Sequence, residues 1–273
     1  MNDPECLSPL GLRLRETIQR DPIGWASTCR INLRLYQRQI AQAIKESILH
    51  QLGLTFVVVL PRQSGKNELQ AHLFSWLLFR SAPSGGRIVS VFPPFKPQTT
   101  NNMERVSLSL NSCIGSRGKW HSSKGYMYTI GKACPQFFSA DLLLPVDEAQ
   151  EVNPAKFDKD FDQMTASTNA TRVFWGTAWT SPVPLLERQR RRALQAQQQD
   201  GNQRVFFFTA EDVRRLVPAY GAHVERVIAE LGRNHPFVRT QFFCETLDAQ
   251  AGMFNTGRLT LMFPSQGGEH RLG

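Results

Sequence analysis

A short apolar strand, a tight loop and a helix follow one another early in the chain, and no other feature of the sequence constrains the fold as strongly. Residues 55–60 (TFVVVL) are continuous and largely β-branched, as in a strand that is buried on both faces of a sheet. Residues 65–80 repeat apolar side chains at three- and four-residue steps, which predicts a helix. The core of the chain is therefore expected to begin with a strand–loop–helix unit.

The same alternation continues along the chain and indicates the fold class. Apolar runs predict strands at 87–92, 142–146, 172–175 and 205–208, and periodic segments predict helices at 33–49, 96–110, 184–199 and 211–231. This order favours an α/β fold with a mostly parallel sheet, helices on both faces, and ligands at the carboxyl ends of the strands. Residues 111–124, rich in Ser, Gly and Asn, are predicted to form a loop.

The composition bounds the class of protein without choosing a function. Thirty-two lysines and arginines against 23 acidic residues give a formal charge of +9, which favours a polyanionic partner but does not require one. The five cysteines lack the paired spacing of a zinc site and are predicted to be free thiols in a reducing cytoplasm. There is no signal-peptide pattern and no apolar run of ~20 residues, so secretion and membrane insertion are not expected.

The most specific chemistry lies in residues 60–67 (LPRQSGKN). Backbone amides of a tight loop, a lysine and a helix N-terminus hold a triphosphate, and this segment supplies all three. It departs from the pattern G-x-x-x-x-G-K-[ST] because Leu60 replaces the first glycine and Asn67 replaces the hydroxyl residue. A P-loop is nevertheless favoured over an ordinary strand-to-helix turn. The candidate nucleotide-binding residues of this segment are Arg62, Gln63, Ser64, Gly65, Lys66 and Asn67.

Two carboxylates end the strand predicted at 142–146 and extend the prediction to catalysis. Asp147 is placed to hold Mg²⁺ through water, and Glu148 to polarise an attacking water, as in a Walker B motif. A capping box or a solvated turn would explain one carboxylate but not both. Asn67 could offer an amide oxygen to the same ion, and Arg62 could stabilise charge on the transferred phosphoryl group.

Three further features leave alternatives open. Thr177, after Gly176, could place a hydroxyl near the terminal phosphate, or the pair could form a simple turn into a helix cap. Pro145 removes one hydrogen-bond donor from its strand. Arginines on the helix at 184–199 could follow a DNA backbone or reach a neighbouring subunit, but a solvated polar face is slightly favoured. These arginines are Arg188, Arg190, Arg191 and Arg192.

Six motifs in this order resemble the ATPase domain of phage terminase large subunits. They are YQRQI at 36–40, LPRQSGKNE at 60–68, LLLPVDEAQ at 142–150, VFWGTAWTS at 173–181, HPFVRTQFF at 235–243 and AGMF at 251–254. The resemblance spans roughly residues 33–254 and implies a P-loop NTPase of the RecA-like (ASCE) type. It also implies Mg²⁺-dependent ATP hydrolysis that packages double-stranded DNA. The implied assembly is a homo-oligomeric ring on a portal, with a small terminase subunit, in the cytoplasm of a bacterial host of a phage or prophage.

Residue roles follow from the resemblance, position by position. It implies that Gln37 contacts adenine, that Arg62 and Lys66 grip phosphates, that Asp147 holds Mg²⁺ through water, that Glu148 is the catalytic carboxylate and that Thr177 belongs to a coupling motif. Asn67 fits the pattern, because the family tolerates RQxGKN.

The resemblance has departures and implies a division into domains. Residues 137–141 run abruptly into the strand that ends at Asp147, where the family has a longer segment, so a strand or loop is expected to be missing. The expected domains are an N-terminal arm with the adenine-side helix (1–50), an ATPase core (51–210), a helical lid or linker (211–252) and a tail (253–273). The tail is too short for a nuclease domain, and no DNA cleavage is expected of the chain.

Two other functions stay open from the sequence. A helicase-like nucleic-acid translocase with the same core would separate strands as it hydrolyses ATP. A truncated prophage remnant would bind nucleotide or DNA weakly without turnover.

Overall fold

The computed structural model describes residues 16, 18, 20–81, 86–93, 96–113, 116, 127–129, 140–178 and 185–247. Within these ranges the strands are β1 (Thr55–Val59), β2 (Ser90–Phe92), β3 (Met127–Thr129), β4 (Leu143–Val146), β5 (Thr171–Gly176) and β6 (Val205–Phe207). The helices are α1 (Pro22–Thr28), α2 (Leu35–Leu49), α3 (Lys66–Ser81), α4 (Lys96–Ser112), α5 (Pro154–Asp160), α6 (Leu185–Asp200), α7 (Ala210–Leu216), α8 (Pro218–Leu231) and α9 (Pro236–Gln241). A short 3-10 helix, Asp162–Thr165, follows α5.

The described strands form one sheet in the order β3-β2-β4-β5-β1-β6, and every neighbouring pair is parallel. Strand β5 lies between β1 and β4, with Trp175 opposite Val58 on one side and Phe174 opposite Val146 on the other. The carboxyl ends of these strands therefore lie at one edge, where ligands bind in open α/β sheets.

The side chains of β1 alternate between two hydrophobic cores, one on each face of the sheet. Phe56 and Val58 belong to a core shared with α1 to α4 and α7 to α9. Val57 and Val59 belong to a second core shared with α5 and α6. Because a hydrophobic core covers each face of the sheet at β1, every position of this strand is apolar or β-branched, as the sequence at 55–60 shows.

The predicted strands and helices agree with the observed ones to within a few residues, but the shortest helices are not predicted. Helices α1, α5 and α9 have six or seven residues, which is too short for a clear hydrophobic period. Each begins at a proline that follows a capping residue whose side chain accepts a main-chain hydrogen bond: Asp21, Asn153 and His235. These caps are the sequence signal for the three helices.

Strand β3 lies between β2 and β4 in the chain, and it is not among the strands predicted from the sequence. It precedes residues 137–141, the abrupt segment where a strand or loop is expected to be missing. It pairs with β2, Met127 opposite Ser90. Most of the predicted loop at 111–124, the start of the abrupt segment at 137–139 and the predicted tail at 253–273 lie outside the described residues. No helix in the described part of the chain is long and apolar enough to cross a membrane.

Pro145 interrupts one rung of the ladder between β2 and β4, as the sequence predicts. The main-chain bonds on both sides of it are made: Val89 N donates to the Leu143 carbonyl at 3.1 Å, and Asp147 N donates to the Val91 carbonyl at 2.9 Å. Proline has no N–H to donate between them. The ladder closes again at Asp147, which fixes the backbone of the predicted catalytic turn.

We predict that Phe174→Ala lowers the free energy of unfolding by about 3–5 kcal/mol, because its fully buried ring packs edge-on against Phe157 and its loss leaves a cavity. The control is Phe207→Ala on the edge strand β6, where the ring is 47% exposed and the expected loss is about 1 kcal/mol. Guanidinium denaturation followed by circular dichroism measures both. Equal losses would contradict a core on this face of the sheet.

Candidate active site

A cleft of about 590 Å³ opens at the carboxyl ends of β1, β4 and β5. It is lined by Pro61, Arg62, Gln63, Gly65, Lys66, Asn67, Glu68, Arg105, Glu148, Gln150, Glu151, Thr177 and Gln241. Seven of the ten candidate site residues are among these. The other three, Gln37, Ser64 and Asp147, are buried and bonded to residues of the cleft or next to them in the chain.

The side chain of Lys66, in the first turn of α3, lies between the two predicted carboxylates. Its Nζ contacts Asp147 Oδ1 at 3.2 Å and forms a short contact with Glu148 Oε1. Burial lowers the pKa of Lys66, but the charges of Asp147 and Glu148 outweigh burial and raise it above its ordinary value. Burial raises the pKa of Glu148. The charge of Lys66 and the hydrogen bonds from Lys66 and Gln150 lower it by more, so the net pKa lies below its usual range. Lys66 and Glu148 are therefore both charged at neutral pH, as an ion pair in a largely buried site requires.

Side chains at the start of α2 hold the loop that joins β1 to α3. The Ser64 carbonyl accepts hydrogen bonds from Arg34 Nη1, at 2.9 Å, and from the Tyr36 hydroxyl. The Gly65 carbonyl accepts one from Gln37 Nε2 at 3.0 Å. Burial raises the pKa of Tyr36, so its hydroxyl stays protonated and able to donate. The backbone of the loop is thus fixed by residues at the start of α2.

The loop also depends on backbone conformations that favour glycine. Gln63 has a φ of 60° and Gly65 a φ of 90°. A Cβ added at Gly65 would lie 2.8 Å from Gln37 Nε2, so this position requires glycine for two reasons. Between them the Ser64 hydroxyl is buried and has no hydrogen-bond partner among the described residues. Such an atom is uncommon in a folded protein and could be satisfied by a ligand.

Gln37 is only 4% exposed, and both ends of its amide group are engaged. Its Oε1 accepts from Arg34 N at 2.8 Å, and its Nε2 donates to the Gly65 carbonyl. It is not among the described residues that line the cleft. In this geometry Gln37 supports the loop, and a contact with adenine stays a prediction from the resemblance.

Arg62 lines the cleft, and its backbone is held by the C-terminal helices. Its N–H donates to the Gln241 carbonyl at 2.7 Å, and its carbonyl accepts from the Tyr220 hydroxyl at 3.1 Å. Tyr220 and Val224 of α8 are part of the core that also contains β1. The helices of the predicted lid at 211–252 therefore contact the loop directly.

Asp147 is oriented by a chain of amide side chains. Gln70 Nε2 of α3 donates to Asp147 Oδ1 at 3.0 Å, and Asn102 Nδ2 of α4 donates to Gln70 Oε1 at 3.0 Å. Asp147 Oδ2 has no hydrogen-bond partner among the residues that the structure describes. In the same part of the chain no group of three or more His, Cys, Asp or Glu residues could hold a metal.

Thr177, just after β5, contacts the base of the loop. Its hydroxyl donates to the Leu60 carbonyl at 3.2 Å, and its N–H donates to Gln150 Oε1 at 3.3 Å. Leu60 N in turn donates to the Gly176 carbonyl at 3.1 Å. The ends of β1 and β5 are therefore joined around Thr177, while Trp179 and Thr180 of the same motif lie outside the described residues.

Six residues that line the cleft are missing from the predicted site: Pro61, Glu68, Arg105, Gln150, Glu151 and Gln241. Arg105 of α4 pairs with Glu68 at 3.2 Å, and no nearby sequence feature marks it. Gln241 contributes a main-chain carbonyl, which leaves no trace in the sequence. The pKa of Glu151 is raised by burial and by the charge of Glu148. Gln150 lies two residues after Glu148, and a polar side chain at that place is a signal that sequence reasoning could have used.

The arginines of α6 behave as a solvated, ion-paired face. Arg188 pairs with Asp158 of α5 through two hydrogen bonds of 2.6 and 2.7 Å. Arg190 and Arg191 both pair with Glu187, three and four residues before them, about one helical turn away. This geometry favours the solvated polar face over a surface reserved for DNA.

Solved structures share this fold, whereas no family model and no curated protein matches the sequence. The ATPase domain of the large terminase of Thermus phage P74-26 aligns with 81% of this chain and 97% of its own, at 11% identity and a TM-score of 0.52. The large terminase of bacteriophage HK97 aligns with 86% of this chain at 14% identity and a TM-score of 0.59. The chain spans about half of that protein, 55% of its length. The likeness confirms the predicted α/β, RecA-like fold and the resemblance to terminase ATPase domains at the level of the fold.

We predict that Lys66→Ala lowers the free energy of unfolding by about 3 kcal/mol at pH 7, because it leaves the buried Asp147 and the half-buried Glu148 without their cation. In the wild type the lowered pKa of Glu148 contributes stability above its unfolded pKa, and this is lost as the pH falls through the folded value. In the variant burial dominates, so protonation becomes favourable and the difference between the two proteins should shrink towards pH 4. Urea denaturation at pH 7 and at pH 4 measures the free energy of unfolding of both proteins. An equal difference between the two proteins at the two pH values would contradict the pairing of Lys66 with the carboxylates.

Proposed function

We propose that the chain is the ATP-hydrolysing DNA-packaging motor domain of a phage terminase large subunit, which couples Mg²⁺-dependent hydrolysis to translocation of double-stranded DNA. The observation that carries the proposal is the position of Lys66 between Asp147 and Glu148 at the carboxyl edge of a parallel sheet. A lysine at a helix start and two acids at a neighbouring strand end are the parts that phosphoryl transfer needs. The fold shared with terminase ATPase domains supports the same reading.

Phosphate binding is assigned to the loop and its two cations. Lys66 and Arg62 both line the cleft, so the ammonium of one and the guanidinium of the other are available to the oxygens of a triphosphate. The N-terminus of α3 adds the partial positive charge of its free N–H groups. Gln63, Ser64 and Gly65 supply the tight turn between them, and the unpartnered Ser64 hydroxyl offers one more donor. ATP as the nucleotide, with Gln37 on the adenine side, rests on the resemblance.

The donor set fits a nucleotide-bound Mg²⁺ ion. Asp147 has one carboxylate oxygen fixed by Gln70 and the other without a described partner, and Asn67 presents an amide to the cleft. Carboxylate and amide oxygens are the hard ligands that Mg²⁺ takes alongside water and phosphate. When bound, the ion would neutralise charge on the phosphates. Asp147, through water, and Asn67 are the residues proposed to hold it.

Glu148 is the proposed catalytic carboxylate. Its lowered pKa keeps it ionised at neutral pH, and it lines the cleft beside Lys66. An ionised carboxylate there can accept a hydrogen bond from the attacking water and orient it. Arg62 can stabilise the charge that develops on the transferred group.

Thr177 is proposed to couple hydrolysis to movement. It joins the end of β5 to Leu60 at the start of the phosphate loop. Loss of the terminal phosphate would change the loop, and the hydrogen bond gives that change a route to β5.

The wider assembly is proposed on the same basis. The chain's charge of +9 suits a double-stranded DNA partner. A ring of subunits on a portal, a small terminase subunit and the cytoplasm of a bacterial host follow from the resemblance. We propose residues 51–210 as the ATPase core, preceded by an arm and adenine-side helix (1–50) and followed by a helical lid (211–252) and a tail (253–273).

We predict Mg²⁺-dependent ATP hydrolysis by the purified chain, increased by double-stranded DNA, and a loss of about 10²- to 10⁴-fold in both Lys66→Ala and Glu148→Gln. Matched exposed residues serve as controls: Lys159→Ala and Glu230→Gln should hydrolyse ATP like the wild type. Phosphate release is measured alongside a strand-separation assay.

Hydrolysis without strand separation supports the packaging motor, and hydrolysis with strand separation would favour the helicase-like translocase. A folded wild type at the background rate of its Lys66→Ala variant would overturn the proposal and favour an inactive remnant.

A further inference from the structure

Gln150 connects the proposed catalytic carboxylate to the end of β5. Its Nε2 donates to Glu148 Oε2 at 2.6 Å, and its Oε1 accepts from Thr177 N at 3.3 Å. The side chain is 6% exposed, yet it reaches the cleft wall. One amide group therefore touches two residues that come from different strand ends.

The Gln150 amide is closely packed against the backbone at the end of β5. A Cβ added at Gly176 would collide with Gln150 Oε1 and lie 2.5 Å from Leu186 Cδ2, so glycine is required beside it. Glu148 has a φ of 44°, which is unusual for a residue with a side chain. The turn is held in that conformation because Ala149 N donates to the Trp175 carbonyl at 2.9 Å. Strain maintained by its surroundings at a candidate site is a feature of functional positions.

We propose that Gln150 is a positioning residue for hydrolysis: it fixes the orientation of the Glu148 carboxylate and links it to Thr177. The inference rests on the proposed ATPase function and deepens it.

The two oxygens of Glu148 have different partners, and this gives Gln150 its role. Oε1 is held by Lys66, whereas Oε2 is held by Gln150. A triphosphate competes with Glu148 for the Lys66 ammonium, because both are anions that the same cation can meet. The hydrogen bond from Gln150 does not depend on that cation and keeps the carboxylate directed at the cleft. A donated hydrogen bond also stabilises the ionised form, which is the form that accepts a proton from water.

The link to Thr177 makes this orientation sensitive to the end of β5. Gln150 cannot shift its Oε1 towards or away from Thr177 N without turning Nε2 relative to Glu148, because both atoms belong to one planar amide. A movement at Thr177 is thereby passed to the carboxylate over two hydrogen bonds.

The test compares Gln150→Met with the wild type, because methionine has a similar length and volume but removes both hydrogen bonds. The control is Gln199→Met at an exposed position of α6. We expect kcat for ATP to fall about 10- to 100-fold, the cost of losing one hydrogen bond to a charged group, with KM changed less than about threefold.

The ¹³C NMR chemical shift of the Glu148 carboxyl carbon at pH 7, identified by its absence in Glu148→Gln, gives a readout that needs no turnover. It should change in Gln150→Met, because the hydrogen bond to Oε2 is lost, and stay as in the wild type in Gln199→Met. If that variant does not fold, Gln150→Asn, which keeps the amide but is one methylene shorter, is expected to show the same shifts.

An active wild type, with kcat and the Glu148 carboxyl chemical shift unchanged in the variant, would overturn the role of Gln150 alone. A folded wild type without hydrolysis would overturn the ATPase proposal and this role together.

Discussion

The ammonium group of Lys66, enclosed between two carboxylates, is the interaction on which the rest of the site depends. A buried charge is tolerated only with partners of opposite sign, so Lys66 at the start of α3 must lie beside Asp147 and Glu148, which follow β4. Strand β5 separates the two strands that carry them. The Lys66 side chain therefore spans an intervening strand end, and the loop before it must hold one conformation for the contact to form.

The architecture supplies that conformation from three directions. Donors at the start of α2 bind the carbonyls of Ser64 and Gly65, and the C-terminal helices bind the backbone of Arg62 through Tyr220 and Gln241. On the sheet side, Thr177 binds the carbonyl of Leu60. A segment that is distant in sequence fixes each side of the loop. The sheet, with a core on each face, provides the rigid frame for these contacts.

Local sequence patterns predict the parts of this structure whose physical cause is local. The β-branched run at 55–60 is a strand because both its faces are buried, and the Gly-Lys pair is at a helix start because glycine permits the required φ. The carboxylates after β4 stand out because an apolar run precedes them. The use of Gln37 as a support for the loop, and the presence of Arg105 at the cleft, depend on long-range packing of helices, which no single-sequence pattern records.

The measurement that tests the account most directly is calorimetric titration of the wild type and Lys66→Ala with ATP in the presence of Mg²⁺, with folding checked by circular dichroism. Lys66 is expected to supply the main contact with the phosphates, so the wild type should bind one nucleotide per chain. The folded variant should bind at least about tenfold more weakly, as loss of a charge-assisted contact implies. Equal binding by the two proteins, or no binding by a folded wild type, would contradict the assignment of the loop and its lysine as a phosphate site.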